Sequence, residues 1–286
     1  GNLNHGFRTP SSIFYINSIF YLPFVKYFLM NVAAALFMGF SNIFLIKKIK
    51  EYINEKNQYH LLFISLLSFV YINIQFARIS EHGTDRSALI LLFILVILFL
   101  ESFSFLNKKN LNQKIETSYR KILIILFLIC SLKTFYLLYG LLFLLWIINI
   151  IKKNKNINLI FNIILLNKIT YFFLFGVLLV LLNIYLNTGC VVYPAYLTCF
   201  GDFEWSIPVD QVKQMKIWYE QWSKAGAGPN YRVENVSLYL SDFNWVKNWF
   251  DKYFFTKVSD ALLVIFLIII IFYFTFRSKQ KIITTN

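Results

Sequence analysis

The sequence is poor in charge and in the parts from which soluble catalytic domains are built. Only 15% of its 286 residues are charged, against about 25% in ordinary globular domains. The acidic share is lower still, with 14 Asp and Glu facing 28 Lys and Arg. So few charges exclude a disordered chain and a coiled coil, and three cysteines exclude a disulfide-rich miniprotein. No CxxC pair, HExxH or Cys/His zinc spacing occurs, so a structural metal site lacks its ligands. Nor is there a Walker loop, a GxGxxG or a GxSxG, which removes the basic parts of ATP-driven and α/β-hydrolase chemistry. There is no initiator Met and no cleavable leader; Gly1 opens a polar stretch, which reads as the start of a partial or trimmed chain.

What the chain has in abundance is apolar sequence. Residues of that kind make up 58%, mean hydropathy is +0.59, and they fall in long runs. This is the composition of an all-α, multi-pass membrane protein. The net charge of +14 invites a nucleic-acid reading. Its distribution speaks against one: Lys47, Lys48, Lys50 and Lys56, then Lys108, Lys109 and Lys114, then Lys152, Lys153 and Lys155, then Arg277, Lys279 and Lys281 all flank apolar runs. Such clusters mark cytoplasmic loops.

A span needs about 20 apolar residues. Phe28–Ile46, Leu61–Ala77, Ser87–Leu106, Ile169–Leu186 and Ala261–Phe276 qualify, and the aromatic stretch Ser11–Phe24 reads as an interfacial helix. Lys121–Ile151 is too long for one span and carries Lys133 inside it. A helix hairpin turning near Lys133, with short arms, keeps every basic cluster on the cytoplasmic side. The chain then divides into an outer loop and interfacial helix (1–27), a transmembrane bundle (28–186), an extracytoplasmic domain (187–260), and a last span with a cytoplasmic tail (261–286).

The outer domain holds five of the six tryptophans: Trp205, Trp218, Trp222, Trp245 and Trp249. One amphipathic helix follows Pro208 with Val212, Met215, Trp218 and Trp222 on a stripe. It ends at Ala225-Gly226-Ala227-Gly228-Pro229, where glycine permits positive φ. A second opens at Ser241 as N-cap and carries Phe243, Val246, Trp249 and Tyr253. Two readings stand for the stripes: packing together or onto the membrane, and a platform on which sugar rings stack. Cys190 and Cys199 flank eight residues in this domain and form a sensible disulfide in an oxidising compartment. Cys130, in an apolar run, reads as a buried small hydrophobe.

Charge chemistry concentrates on the predicted outer face. Arg78-Ile79-Ser80-Glu81-His82-Gly83-Thr84-Asp85-Arg86 joins two spans, and Asn4-His5-Gly6-Phe7-Arg8-Thr9-Pro10 precedes the interfacial helix. The first is either a solvated turn with Arg at the headgroups or a phosphate clamp. In the clamp, Arg78 and Arg86 hold phosphate through two-point hydrogen bonds, and Glu81, His82 or Asp85 serves as proton acceptor or divalent-cation ligand. Only six of the 28 basic residues are Arg, and four of those (Arg8, Arg78, Arg86 and Arg232) fall on this face. Lys133 either adds a point charge for lipid phosphate or snorkels to the surface. Glu101 lies near a cytoplasmic end and reads as snorkelling too.

The order of parts is a resemblance as well. An outer loop and interfacial helix (His5–Pro23) lead to a span ending in Lys-Lys (Phe28–Lys48). A span pair joined by an Arg/Asp turn follows, then a broken hairpin with Ser131-Leu132-Lys133-Thr134 at its tip. This resembles the membrane module of C-superfamily glycosyltransferases, which use polyprenyl-phosphate sugars. The stretch Asn187–Pro194 is similar to the Gly-x-Pro-x-x-Pro turn of that superfamily, departing from it at Val191. The Glu-His-Gly-Thr-Asp-Arg turn and the Lys-Ala-Gly-Ala-Gly-Pro-Asn-Tyr-Arg loop resemble bacterial multi-pass proteins of surface-polysaccharide assembly.

The resemblance implies a transferase of the bacterial inner membrane, with membrane lipid, a polyprenyl-phosphate sugar and a glycan acceptor as partners, and no nucleic acid. Its catalytic carboxylate would lie upstream of Gly1 and matches no residue here. His5, Arg8, Arg78, Arg86, Lys133 and Arg232 are the donor-binding candidates, Glu81, His82 and Asp85 the accessory ones. No cofactor is implied beyond a divalent cation. The alternatives are a glycan polymerase or ligase, and a non-enzymatic transporter or assembly subunit.

Overall fold

A computed structural model describes residues 11–20, 22–24, 31–55, 58–75, 85–105, 111–154, 157–200, 203–228 and 231–259, together with 262, 265, 266, 269 and 270. The chain is mostly helical and divides into two compact units, Gly1–Asn183 and Ile184–Asn286.

Unit 1 contains α1 (Ser12–Ile19), α2 (Val32–Asn54), α3 (Tyr59–Ile74), α4 (Asp85–Phe105) and α5 (Leu111–Leu132). A 3₁₀ turn (Thr134–Tyr139), α6 (Gly140–Asn154), α7 (Ile157–Leu165) and most of α8 (Lys168–Thr188) complete it. Among the described residues four stretches are long and apolar enough to cross a membrane: Val32–Asn54, Arg86–Phe103, Thr134–Lys152 and Lys168–Thr188. Tyr59–Ile74 is apolar but shorter. Of the stretch Ala261–Phe276 only five residues are described, so that expected span lies largely outside the described residues.

α4 is the centre of unit 1. Two-thirds of its apolar window is buried (67%), against 11% for Thr134–Lys152 and Lys168–Thr188. It packs most extensively on α5 and also on α2 and α3. Ile90, Leu95 and Ile97 of α4 meet Leu45, Ile72, Ile122, Leu126 and Ile129 in one fully buried cluster. The outer helices turn Phe172, Phe175, Leu178 and Leu182 outward from α8, and Leu141, Leu144 and Leu145 from α6. Apolar faces of that extent are unstable in water and compatible with lipid.

The segment breaks at Lys133, as the hairpin reading expects. α5 stops at Leu132, Lys133 takes an extended conformation (φ −152°, ψ 113°), and the 3₁₀ turn starts the return. The chain folds back on itself, since Tyr119 of α5 lies 5.6 Å from Phe143 and 6.1 Å from Trp146 of α6, centroid to centroid. The second arm is longer than expected. The 3₁₀ turn continues into α6, and together they contain the 19-residue stretch Thr134–Lys152, long enough to span.

Unit 2 is built around α9 (Val209–Ser223), which packs against the 3₁₀ turn Tyr196–Thr198, β1 (Ala227–Gly228) and α10 (Val236–Leu240). β1 pairs antiparallel with β2 (Tyr231–Arg232). α8 ends at Gly189, whose φ of +77° suits glycine alone at little strain, and a Cβ there would lie 2.5 Å from that of Ser206. Beyond it the Cys190–Cys199 disulfide closes the loop, and Phe200 N–H returns to Gly189 O at 2.8 Å.

Three local expectations for this unit need correcting. The left-handed residue after α9 is Ala225 (φ +62°), not a glycine. Gly226 is needed for space instead, because a Cβ there would overlap the Tyr239 ring. Ser241 is not an N-cap: Asn235 caps α10 six residues earlier by accepting from Leu238 N–H, and Ser241 closes that helix. Residues 241–245 form turns before α11 (Val246–Trp249), which continues into a π-helical stretch, Phe250–Val258. Ser241 follows α10 directly, so its hydroxyl bonds back to Leu238 O at 2.8 Å rather than forward.

Candidate functional site

Hydrogen bonds sort the side chains of unit 1 to two ends. Ser12 Oγ of α1 lies 2.8 Å from Ser131 Oγ, two residues before Lys133. Asn17 of α1 accepts from Ala33 N–H at 3.0 Å, which satisfies one of the open amides at the start of α2. α2 and α4 run the same way, because Lys48 near the end of α2 meets Glu101 near the end of α4. The start of α4, with Arg86, therefore shares an end with α1 and the Lys133 turn.

That end is chemically suited to anions. Arg86 is the second residue of α4, where a cation faces the positive pole of the helix dipole. Such a placement does not stabilise the helix, but it sets a guanidinium beside a helix N-terminus, a combination that attracts phosphate. Arg86 is part-exposed, and so is Lys133. The backbone of Lys133 is satisfied, donating to Ile129 O at 3.0 Å and accepting from Tyr136 N–H at 3.1 Å. Its extended conformation is thus held from both sides.

The other candidates are distributed as follows. His5, Arg8, Arg78, Glu81 and His82 lie outside the described residues, as does the side chain of Asp85, the first residue of α4. Arg232 is exposed on β2 in unit 2. Cys190 and Cys199 are joined by the disulfide, and Cys130 is buried and free. In unit 2 no tryptophan is fully covered: Trp205 and Trp222 are each 40% exposed, while Trp218, Trp245 and Trp249 are half-buried. Trp218 lies 5.3 Å from Trp222, Phe203 stacks on Trp205 at 5.3 Å, and Lys224 sits over Trp245 at 5.5 Å. Phe243 of the second stripe is 79% exposed, whereas Tyr253 Oη of the same stripe donates to Trp222 O of α9 at 3.3 Å.

The opposite end of unit 1 holds a feature that sequence reasoning missed. Lys48 Nζ donates to Glu101 Oε1 at 2.6 Å and to Glu51 Oε2 at 2.9 Å, with the Tyr52 ring 5.7 Å away. The Lys48 and Glu101 side chains are 11% and 13% exposed. Glu101 therefore does not snorkel; it pairs across the helix interface. Beside it Trp146 Nε1–H donates to Ser102 Oγ at 2.7 Å, and Tyr119 Oη lies 2.6 Å from Thr170 Oγ1. The signal in the sequence was an acid within an apolar run together with a lysine inside the last two turns of another.

Among the described residues no group of three or more His, Cys, Asp or Glu converges on a common point. A family model described as a domain of unknown function (DUF8201) matches residues 1–285. No curated protein and no solved structure matches the chain.

Proposed function

We propose a function for this chain, which belongs to the DUF8201 family, from the geometry of its Lys133 end. The protein is a multi-pass transferase-like bundle of the bacterial inner membrane, acting on a polyprenyl-phosphate-linked sugar in surface-glycan assembly. The Ser12–Ser131 hydrogen bond carries this reading. It fastens the interfacial helix to the hairpin tip, so Lys133 is held at the depth where a lipid phosphate lies, at the same end as Arg86. The Trp-rich residues 187–260 then face outward and offer aromatic faces to the glycan acceptor.

In this reaction an acceptor hydroxyl attacks the anomeric carbon and the bond to the phosphate oxygen breaks. Polyprenyl phosphate leaves with the electron pair. The hydroxyl proton passes to a carboxylate, which the resemblance matches to no residue of this chain. Arg86 and Lys133 stabilise charge growing on the leaving phosphate, where fixed cations act most strongly. A divalent cation held by Glu81, His82 or Asp85 belongs to the same proposal.

The test is binding of a polyprenyl-phosphate sugar to the purified protein in detergent, with Arg86→Ala and Lys133→Ala compared with the parent. Loss of one charge-assisted contact is expected to weaken binding about tenfold. No binding by the parent, or wild-type binding by both variants, overturns the reading. Product length separates a transferase, which adds one sugar, from a polymerase or ligase. The buried Lys48–Glu101 pair favours the second reading, a transporter, since such bundles keep ionisable groups inside. Substrate flux into vesicles with no glycosylated product would establish it.

A further inference from the structure

We propose that unit 2 carries a membrane-insertion surface: the disulfide-closed loop after α8, whose apolar side chains enter the lipid interface where that span ends. α8 is a candidate span, Lys168–Thr188, and its last turn, from Ile184 onward, belongs to unit 2. Leu186 in that turn is 59% exposed, so the apolar side of the span runs to its end. The exposure does not stop there. Val191, Val192, Leu197, Phe200, Phe203 and Trp205 follow before α9, and all are exposed. Leu197, in the 3₁₀ turn Tyr196–Thr198, reaches 85%. A run of outward apolar side chains this dense marks a contact surface.

Two observations name lipid as its occupant. The first is an aromatic group at the end of the span. The Tyr185 ring lies edge-on to Phe200 at 6.1 Å and to Trp205 at 5.7 Å, and Trp205 stacks on Phe203 at 5.3 Å. Tyr and Trp gathered where a span ends sit at headgroup level. The loop is fastened there, because Phe200 N–H donates to Gly189 O at 2.8 Å and Ile207 N–H to Thr188 O at 3.1 Å.

The second observation is the closure of the loop's own backbone. Val191 N–H donates to Thr198 O at 3.0 Å, Ala195 N–H to Val192 O at 2.9 Å and Thr198 N–H to Ala195 O at 2.9 Å. Val192 N–H donates to Thr198 Oγ1 at 3.1 Å, and Cys190–Cys199 ties the two ends together. Main-chain groups that approach lipid must be satisfied within the protein, whereas water or a protein partner would supply its own donors and acceptors. The insertion is shallow, at the boundary of headgroups and acyl chains. Lys213 and Lys216 of α9 stand over the Tyr196 ring at 5.9 and 5.5 Å, and Glu204 is exposed between Phe203 and Trp205. These charges bound the patch and set its depth, since their heads stay among headgroups and water. The surface does not depend on the transferase reading, because a transporter would carry it equally. It assigns Trp205 to the bilayer; the tryptophans from α9 onward lie outside it.

The experiment uses the full chain in dioleoyl-phosphatidylcholine nanodiscs, which leave both faces open to water. Leu197→Trp puts a fluorophore at the tip of the loop, where its exposure leaves no core to repack. The difference in emission between variant and parent reports on that position. It is expected to be strongly quenched when the lipid is brominated near the headgroup end of its acyl chains, and hardly at all by aqueous iodide. Trp205, read as the difference between parent and Trp205→Phe, is expected to behave the same way and serves if Leu197→Trp does not fold. Quenching by iodide with no effect of brominated lipid leaves the loop in water and overturns the proposal. Shielding from both quenchers overturns it as well, since protein then covers the patch. Shielding found only in discs that hold two chains identifies a second copy as that cover.

Discussion

Replacing Lys48 with methionine tests whether the ion pair between α2 and α4 is an energetic unit. The ammonium lies 2.6 Å from Glu101, and both side chains are nearly covered. Removing the cation leaves the Glu101 carboxylate in a poorly solvated site, and breaking a buried pair in this way costs about 3–5 kcal/mol. Glu101→Leu should cost less, about 1–3 kcal/mol, because Lys48 keeps Glu51, which is 40% exposed and 2.9 Å away. The double variant puts an apolar pair into an apolar interface and removes both desolvation penalties. Its stability should lie close to that of the parent, or above it.

The single costs sum to about 4–8 kcal/mol while the double variant stays near the parent, so the coupling between the two sites should be at least about 4 kcal/mol, above the usual range of pairwise terms. All four proteins would be unfolded by SDS titration from mixed micelles, with helicity followed by circular dichroism. Additivity of the two single changes to within about 0.5 kcal/mol would refute the reasoning. It would mean that water or lipid headgroups solvate each charge and that the short contact carries no net energy.

Gly226→Ala should destabilise unit 2 by about 1–3 kcal/mol, read by tryptophan fluorescence on heating. The Tyr239 ring cannot move aside, since its Oη donates to Lys224 O at 2.7 Å and accepts from Asn248 Nδ2 at 2.9 Å. Reducing Cys190–Cys199, nine residues apart, should lower stability by about 2–3 kcal/mol. Alkylation under denaturing conditions should label one cysteine before reduction and three after. Ser102→Ala removes the acceptor of the buried Trp146 Nε1–H and should cost about 1–3 kcal/mol. Ser102→Thr, which keeps a hydroxyl, should recover part of that loss in the same melt.

Much of this molecule is local, and what is local was legible. The apolar runs specify helices because a 20-residue stretch has one way to satisfy its backbone away from water. Lys133 marks the break of the hairpin because a lysine in the middle of a 31-residue apolar segment needs a route to water or an anion. Cys190 and Cys199 pair across a loop short enough for proximity to choose the partner. The candidate site was legible only as residue types: Arg86 and Lys133 stood out as cations at span ends. That they share an end with α1 depends on Ser12 meeting Ser131, 119 residues away.

The tertiary structure alone decided the rest, and for one physical reason. These helices are apolar on nearly every side, so no polar stripe states which face meets which neighbour, and register is left to packing. Packing brings Lys48 to Glu101 and so removes Glu101 from the surface. It also lends Asn17 to the first amides of α2. At each of these sites a polar group found its partner through a neighbouring helix that the linear order of residues does not reveal.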